Sequence, residues 1–209
     1  MRLISSSILS VALALGIGLF ASPASAESSF VTGATTPLTA NARVDFRITV
    51  PRVLYLRVGT GTALANNATI NLIDFTVPAA NIGDGTSVAA SAASGDLGNG
   101  AVTARLIGND GDITLSSTTA GALSDGAGSN IGYSNISTAS AVLVSPTALA
   151  APALADGATT TTTVTATNRV VNRDARWTYS YNNTQVAPAG VYGGVNVNNG
   201  RVTYTATML

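Results

Sequence analysis

From Val44 to Val58 apolar side chains fall on even-numbered positions: Val44, Phe46, Ile48 and Val50, then Leu54, Leu56 and Val58. Period two puts them all on one face of an extended chain and scatters them around a helix. Pro51 lacks a backbone donor and splits the run, so the two halves read as separate strands. The same alternation closes the chain. Val202, Tyr204, Ala206 and Met208 face one way, and Thr203, Thr205 and Thr207 the other. A face this regular requires burial, because a one-residue slip of register would expose all of it.

Between these ends the chain offers strands and turns and no helical period. Alternation or β-branched enrichment marks segments near 42–50, 53–58, 68–77, 101–107, 112–116, 141–144, 160–171, 175–181, 191–197 and 201–208. Turn residues separate them: Asp84-Gly85, Asp110-Gly111, Asp156-Gly157 and Asn199-Gly200. Asn199-Gly200 is expected to supply the two positive-φ residues of a type I′ hairpin. Stretches 79–100, 118–130 and 146–162 are rich in small residues and read as long connections. About ten short strands with turns between them predict an all-β fold, an antiparallel immunoglobulin-like sandwich, with Trp177 and Phe46 in its core.

The N-terminus reads as an export signal. Arg2 precedes an apolar run, Ile8 to Phe20, and then Ala24-Ser25-Ala26. A basic start, a short apolar core and a small-x-small site describe a secretory signal peptide over 1–26, too short to span a bilayer. Residues 27–209 then form a single β-sandwich domain, and no later stretch is apolar enough for a membrane span. There is no cysteine, so packing and hydrogen bonds must hold the fold in an oxidising exterior. Formal charge is zero, and minus one without Arg2 (9 − 10), which gives no electrostatic case for nucleic acid. Charged residues make up only 10 %, so the surface must be covered by Thr, Ser, Asn and small side chains. That suits a subunit surrounded by neighbours, and also a plain secreted β-protein.

The residue inventory closes most catalytic chemistry. Without histidine or cysteine, Ser-His and Cys-His nucleophiles and the usual zinc ligands are missing. All ten basic residues are arginine, so lysine Schiff bases are closed as well. Acid–base work would fall to nine aspartates and Glu27, and Asp84, Asp110, Asp125 and Asp156 each precede a glycine in a turn. We expect no enzyme, no cofactor and no metal. "GNDGD" at 108–112 has the look of a calcium loop without its full pattern and reads as a hairpin turn. Trp177, Tyr179 and Tyr181 lie on one side of a strand; they read as a core face, with a sugar-binding platform as the other reading. Asn67, Asn135 and Asn182 head glycosylation acceptor triplets, which mean little if the source is bacterial, as the arginine-only bias and the signal type suggest.

"VDFRITVPRVLYLRVGTG" near the start and "PAGVYGGVNVNNGRVTYTATML" at the end resemble bacterial fimbrial subunits of the chaperone–usher kind. The likeness is to the cysteine-free, colonisation-factor type. The closing segment is also similar to the end of the WxL surface domain. The fimbrial resemblance implies that Val44, Phe46, Ile48 and Val50 form a donor strand and Pro51 its break. Leu54 to Val58 would be the first sandwich strand, with Val202, Tyr204, Ala206 and Met208 lining a groove edge. Its implied partners are further copies or related subunits and a periplasmic chaperone, and its location is the fimbrium or the periplasm in transit. Two features depart from that pattern: the donor-like strand lies about 17 residues inside the mature chain, and Met208 stands where many pilins have an aromatic. The residues leave two functions open. One is a structural or adhesive surface subunit assembled by strand complementation, and the other is a monomeric secreted binding module for carbohydrate.

Overall fold

A computed structural model describes residues 27–208. The expected leader, residues 1–26, lies outside the described residues. Contacts divide the chain into two units at the Val50–Pro51 junction. In the first, residues 27–50 are exposed throughout and contain no strand. The Glu27 carboxylate there accepts from Arg43 Nε and Nη2 at 2.7 and 2.8 Å.

The second unit is all-β and built on antiparallel ladders. Its strands are β1 (Leu54–Val58), β2 (Val88–Ala89), β3 (Ala101–Gly108), β4 (Ile113–Thr119), β5 (Leu123–Ser124), β6 (Asn130–Ile131), β7 (Ile136–Ala141), β8 (Thr159–Val164), β9 (Val171–Tyr181) and β10 (Val202–Met208). One sheet runs β1-β3-β9-β7, with β2 on the last two residues of β9. The other runs β10-β4-β8, and β5 and β6 form a small ladder of their own.

The two sheets pack face to face because their strands alternate. Leu106, Val171, Ala175 and Trp177 from the first sheet meet Ile113, Leu115 and Val164 from the second. Trp177 is fully buried, and its ring lies 5.2 Å from that of Tyr204 on the facing sheet. The indole is the only tryptophan and needs a partner for its N–H when buried. Nε1 donates to the Leu149 carbonyl at 2.7 Å, which draws the 142–158 connection over the core.

The chain changes sheets at two tight corners, and they are bonded to each other. Residues 109–112 carry β3 into β4; residues 165–170 carry β8 into β9 around Asn168 and Arg169, both at positive φ. Gly111 N donates to Arg169 O at 3.0 Å, and Ala166 N donates to Asp112 Oδ1 at 2.8 Å. Asp110 pairs with Arg169 and, at 2.6 Å, with Arg52. Gly108 sits at the first corner, where a Cβ would come within 3.0 Å of Met208 Sδ. The missing side chain lets the end of β10 close on the β3–β4 corner.

Several expected strands do not form. Residues 42–50 belong to no strand among the described residues, and Phe46 is exposed instead of in the core. Residues 68–77 contribute one bridge, Phe75 to Ala90. The strand expected at 141–144 ends at Ala141, because the N–H groups of Val144 and Ser145 turn to the buried Asp174 carboxylate at 2.9 and 3.0 Å. Residues 160–171 are two strands separated by the second corner. Residues 191–197 form none; Val191, Val195 and Val197 are exposed, so alternation there has no face to bury.

The closing turn is shifted by one residue. Gly200 N bonds to Val197 O at 2.8 Å, with Asn198 and Asn199 at φ 50° and 59°. These are the two positive-φ positions of a type I′ turn. Gly200 is needed for close approach instead, since a Cβ there would stand 2.3 Å from Gly194 N.

Candidate functional site

β1 and β10 are the outer strands of their respective sheets, and they approach each other along one side of the sandwich. β10 bonds to β4 from Val202↔Thr119 to Met208↔Ile113 and, among the described residues, to no strand on its other edge. Its Val202, Tyr204, Ala206 and Met208 point inward and stay half-buried, and its threonines are exposed. Half-burial on an inward face means the cover over β10 is incomplete.

The free edge of β1 can be read from its ladder. Gly59 N donates to Thr103 O, directly opposite it in register, at 2.8 Å. In an antiparallel pair such bonded positions alternate with unbonded ones. Arg57 and Tyr55 therefore face β3, and the backbone N–H and C=O groups of Leu54, Leu56 and Val58 face away from it. A cleft of about 620 Å³ opens there, lined by Leu54, Tyr55, Leu56 and residues 65–68. Leu56 and Val58 pack on the core through their side chains while their backbone groups stay unpaired within the sheet.

Asn109 fixes how the chain enters β1. Its side-chain oxygen accepts from Val53 N at 2.8 Å, and its amide nitrogen donates to Pro51 O at 2.7 Å. Positions 51 and 53 continue the bonded series of 55, 57 and 59, so the side chain of Asn109 prolongs the β1–β3 ladder by one step. No turn occurs at residues 51–53. Sequence reading passed over Asn109, because an asparagine before Asp-Gly reads as a turn residue and nothing more.

Of the residues expected to form a donor strand, Val44, Phe46, Ile48 and Val50 are 75, 89, 86 and 72 % exposed. The aromatic set is elsewhere: Trp177, Tyr179 and Tyr181 are buried, so none offers an open face to a sugar. Burial pushes the Tyr204 hydroxyl up to about 12 and the Tyr179 hydroxyl well above its ordinary value, and the two bond to each other. In "GNDGD", Asp110 is engaged by two arginines and Asp112 by a backbone N–H, the contacts of a structural corner.

Asp174 is the buried carboxylate of the first sheet. Burial raises its pKa, but the Ser145 and Val144 N–H groups, the Ser145 hydroxyl and Arg105 together leave it below the usual aspartate range. Arg105 Nη1 lies 3.5 Å from its Oδ2, while Arg105 Nε is buried without a partner. Among the described residues no three acidic side chains gather as a metal site would require, and no helix is long and apolar enough to cross a membrane. No family model, curated protein or solved structure matches this chain.

Proposed function

We propose that the protein is an exported structural subunit, without catalysis, that assembles with further copies by strand complementation. Residues 42–50 of one copy enter the open side between β1 and β10 of the next. The observation that carries this reading is the exposure of Val44, Phe46, Ile48 and Val50 on a stretch whose alternation fits a buried strand. Four apolar side chains at period two match the four half-buried inward positions of β10, Val202 to Met208.

The physics favours such an exchange. An edge with unpaired backbone groups recruits an extended segment, and its ladder supplies affinity while alternate side chains supply register. Burying four side chains contributes roughly 6–12 kcal/mol at about 1.5–3 each. Asn109 supports donation over self-pairing, since it holds Pro51 and Val53 in the line of β1.

The test uses chain 51–209 and a peptide spanning Asn41–Val50. The peptide is expected to raise the melting temperature of the truncated chain, as a ligand of the folded state does. The same peptide with Phe46→Asp is expected to have no effect, because an unpaired carboxylate enters an apolar groove only at high cost. The intact mature chain is expected to assemble as its concentration rises. An intact chain that stays monomeric throughout would refute the reading and favour a monomeric binding module.

A further inference from the structure

We propose that the outer face of the β10-β4-β8 sheet is an ice-binding surface. The register of this sheet lines up nine hydroxyl side chains in three rows. Thr203, Thr118 and Thr159 form one row, Thr205, Ser116 and Thr161 the next, and Thr207, Thr114 and Thr163 the third. Every outward position on the three strands within these rows is Thr or Ser, eight of them Thr. Thr159, Thr161 and Thr163 of β8, the three threonines of β10 and Thr118 are exposed, and Thr114 and Ser116 are half-buried.

The array presents methyl and hydroxyl groups and no charge. A solvated sheet face ordinarily carries mixed charges that keep it soluble and guard its edges. Here nucleic acid, anionic lipid and charged peptides have nothing to pair with across nine adjoining positions. A neutral, periodic partner is the electrostatic complement. Neutral sugars are met mainly by aromatic faces, and Trp177, Tyr179 and Tyr181 are buried.

The spacing of any such sheet face is near that of ice, and the unbroken hydroxyl array is what this face adds to it. Neighbouring strands lie about 4.8 Å apart, and alternate residues repeat at about 6.7 Å along a strand. The oxygen lattice of hexagonal ice repeats slightly below the first distance along its a axis and somewhat above the second along its c axis. Threonine is stiff at its branched Cβ, so its methyl and hydroxyl are ordered before contact and lose little entropy on binding. In the first row Thr118 and Thr159 hydroxyls already bond to each other at 2.8 Å. Sheet twist of about 20–25° per strand confines the match to a patch of this width. The activity this predicts is restraint of ice-grain growth rather than a large freezing-point gap. It does not rest on strand donation, which uses the alternate, inward residues of β10.

The experiment grows ice slowly through a solution of the mature chain and measures the protein retained in the ice, beside recrystallisation of a frozen film. The parent is expected to concentrate in ice above an inert globular protein and to hold grain size down. A Thr161→Arg, Thr205→Arg variant is expected to lose both effects. Ala139→Arg, which puts an arginine on an exposed position of the other sheet, is expected to keep them. If the double variant loses its cooperative melt, Thr161→Asp alone on the outer strand β8 takes its place with the same expectation. A parent that ice excludes, or a folded face variant that still enters ice, overturns the proposal. So does binding to crystalline cellulose or chitin, or a face-to-face dimer dispersed by the same substitutions, without retention in ice.

Discussion

The hydroxyls of Tyr179 on β9 and Tyr204 on β10 lie 2.8 Å apart and join the two sheets by a direct side-chain hydrogen bond. Tyr204 also tilts against Trp177, so one residue of the open-edged β10 ties it to the best-buried part of the core. Tyr204→Phe leaves the ring in place and strands the Tyr179 hydroxyl. Stability is expected to fall by about 1–3 kcal/mol, the cost of a buried polar group without its partner. Adding Tyr179→Phe is expected to recover part of the loss. Urea titrations of the two single variants and the double variant measure the coupling.

Stability is expected to be flat from mildly acidic pH to about pH 9, because the chain has no His, Cys or Lys side chain to titrate there. Alkali should then destabilise it. Tyr204 and Tyr133 are pushed from 10.0 up to about 12 by burial, so the folded state holds protons that the unfolded chain releases first. Their contribution is complete below pH 10 and is lost as pH rises through 12. Melting temperature followed across that window, with tyrosinate absorbance near 295 nm as a second probe, checks this. A flat melting temperature through pH 12 would sink it.

Asp174→Asn is expected to loosen the 142–149 connection. The carboxylate accepts from Val144 N, Ser145 N and the Ser145 hydroxyl, and the amide would weaken all three along with the Arg105 contact. Bonds to a charged group contribute about 1.5–3 kcal/mol. The readout is a lower urea midpoint together with faster cleavage at Val142–Val144 by a protease that cuts beside apolar residues. In acid the sign is that of a depressed carboxylate: its contribution is present above the ordinary 3.8 and is lost as pH falls below it.

Calcium or a chelator is expected to leave the melting temperature unchanged, because Asp110 and Asp112 are committed to the two sheet-crossing corners. Asp110→Asn is expected to lower stability by about 1 kcal/mol or less, as its arginine partners are largely exposed. A calcium-dependent rise in melting temperature would overturn the corner reading.

The resemblance to fimbrial subunits and the fold class rested on different signals. The all-β class was legible because period-two alternation and Asp-Gly turns are local; β1, β3 and β10 formed within a residue of their expected bounds, and β4 ran three residues past its expected end. Local pattern failed where alternation had nothing to pack on, as at 191–197. It also failed where a distant side chain captured the backbone, as Asp174 does at Val144 and Ser145. The candidate edge was half legible. The inward positions of β10 were readable from their spacing, but the free backbone of Leu54, Leu56 and Val58 was not, since which side of a strand is bonded depends on its partner.

By itself the sequence determined the residue types missing from this protein, the faces of β1 and β10 and several of the places where the chain turns. These follow from residue type and from spacing over a few positions. Tertiary structure alone decided which strands became edges, that Asn109 carries the ladder back to Pro51, and that three separate Thr-rich segments align in register. Each of these joins residues at least 40 apart in the chain. Only the long-range pairing of strands brings such residues together, so no local pattern encodes them.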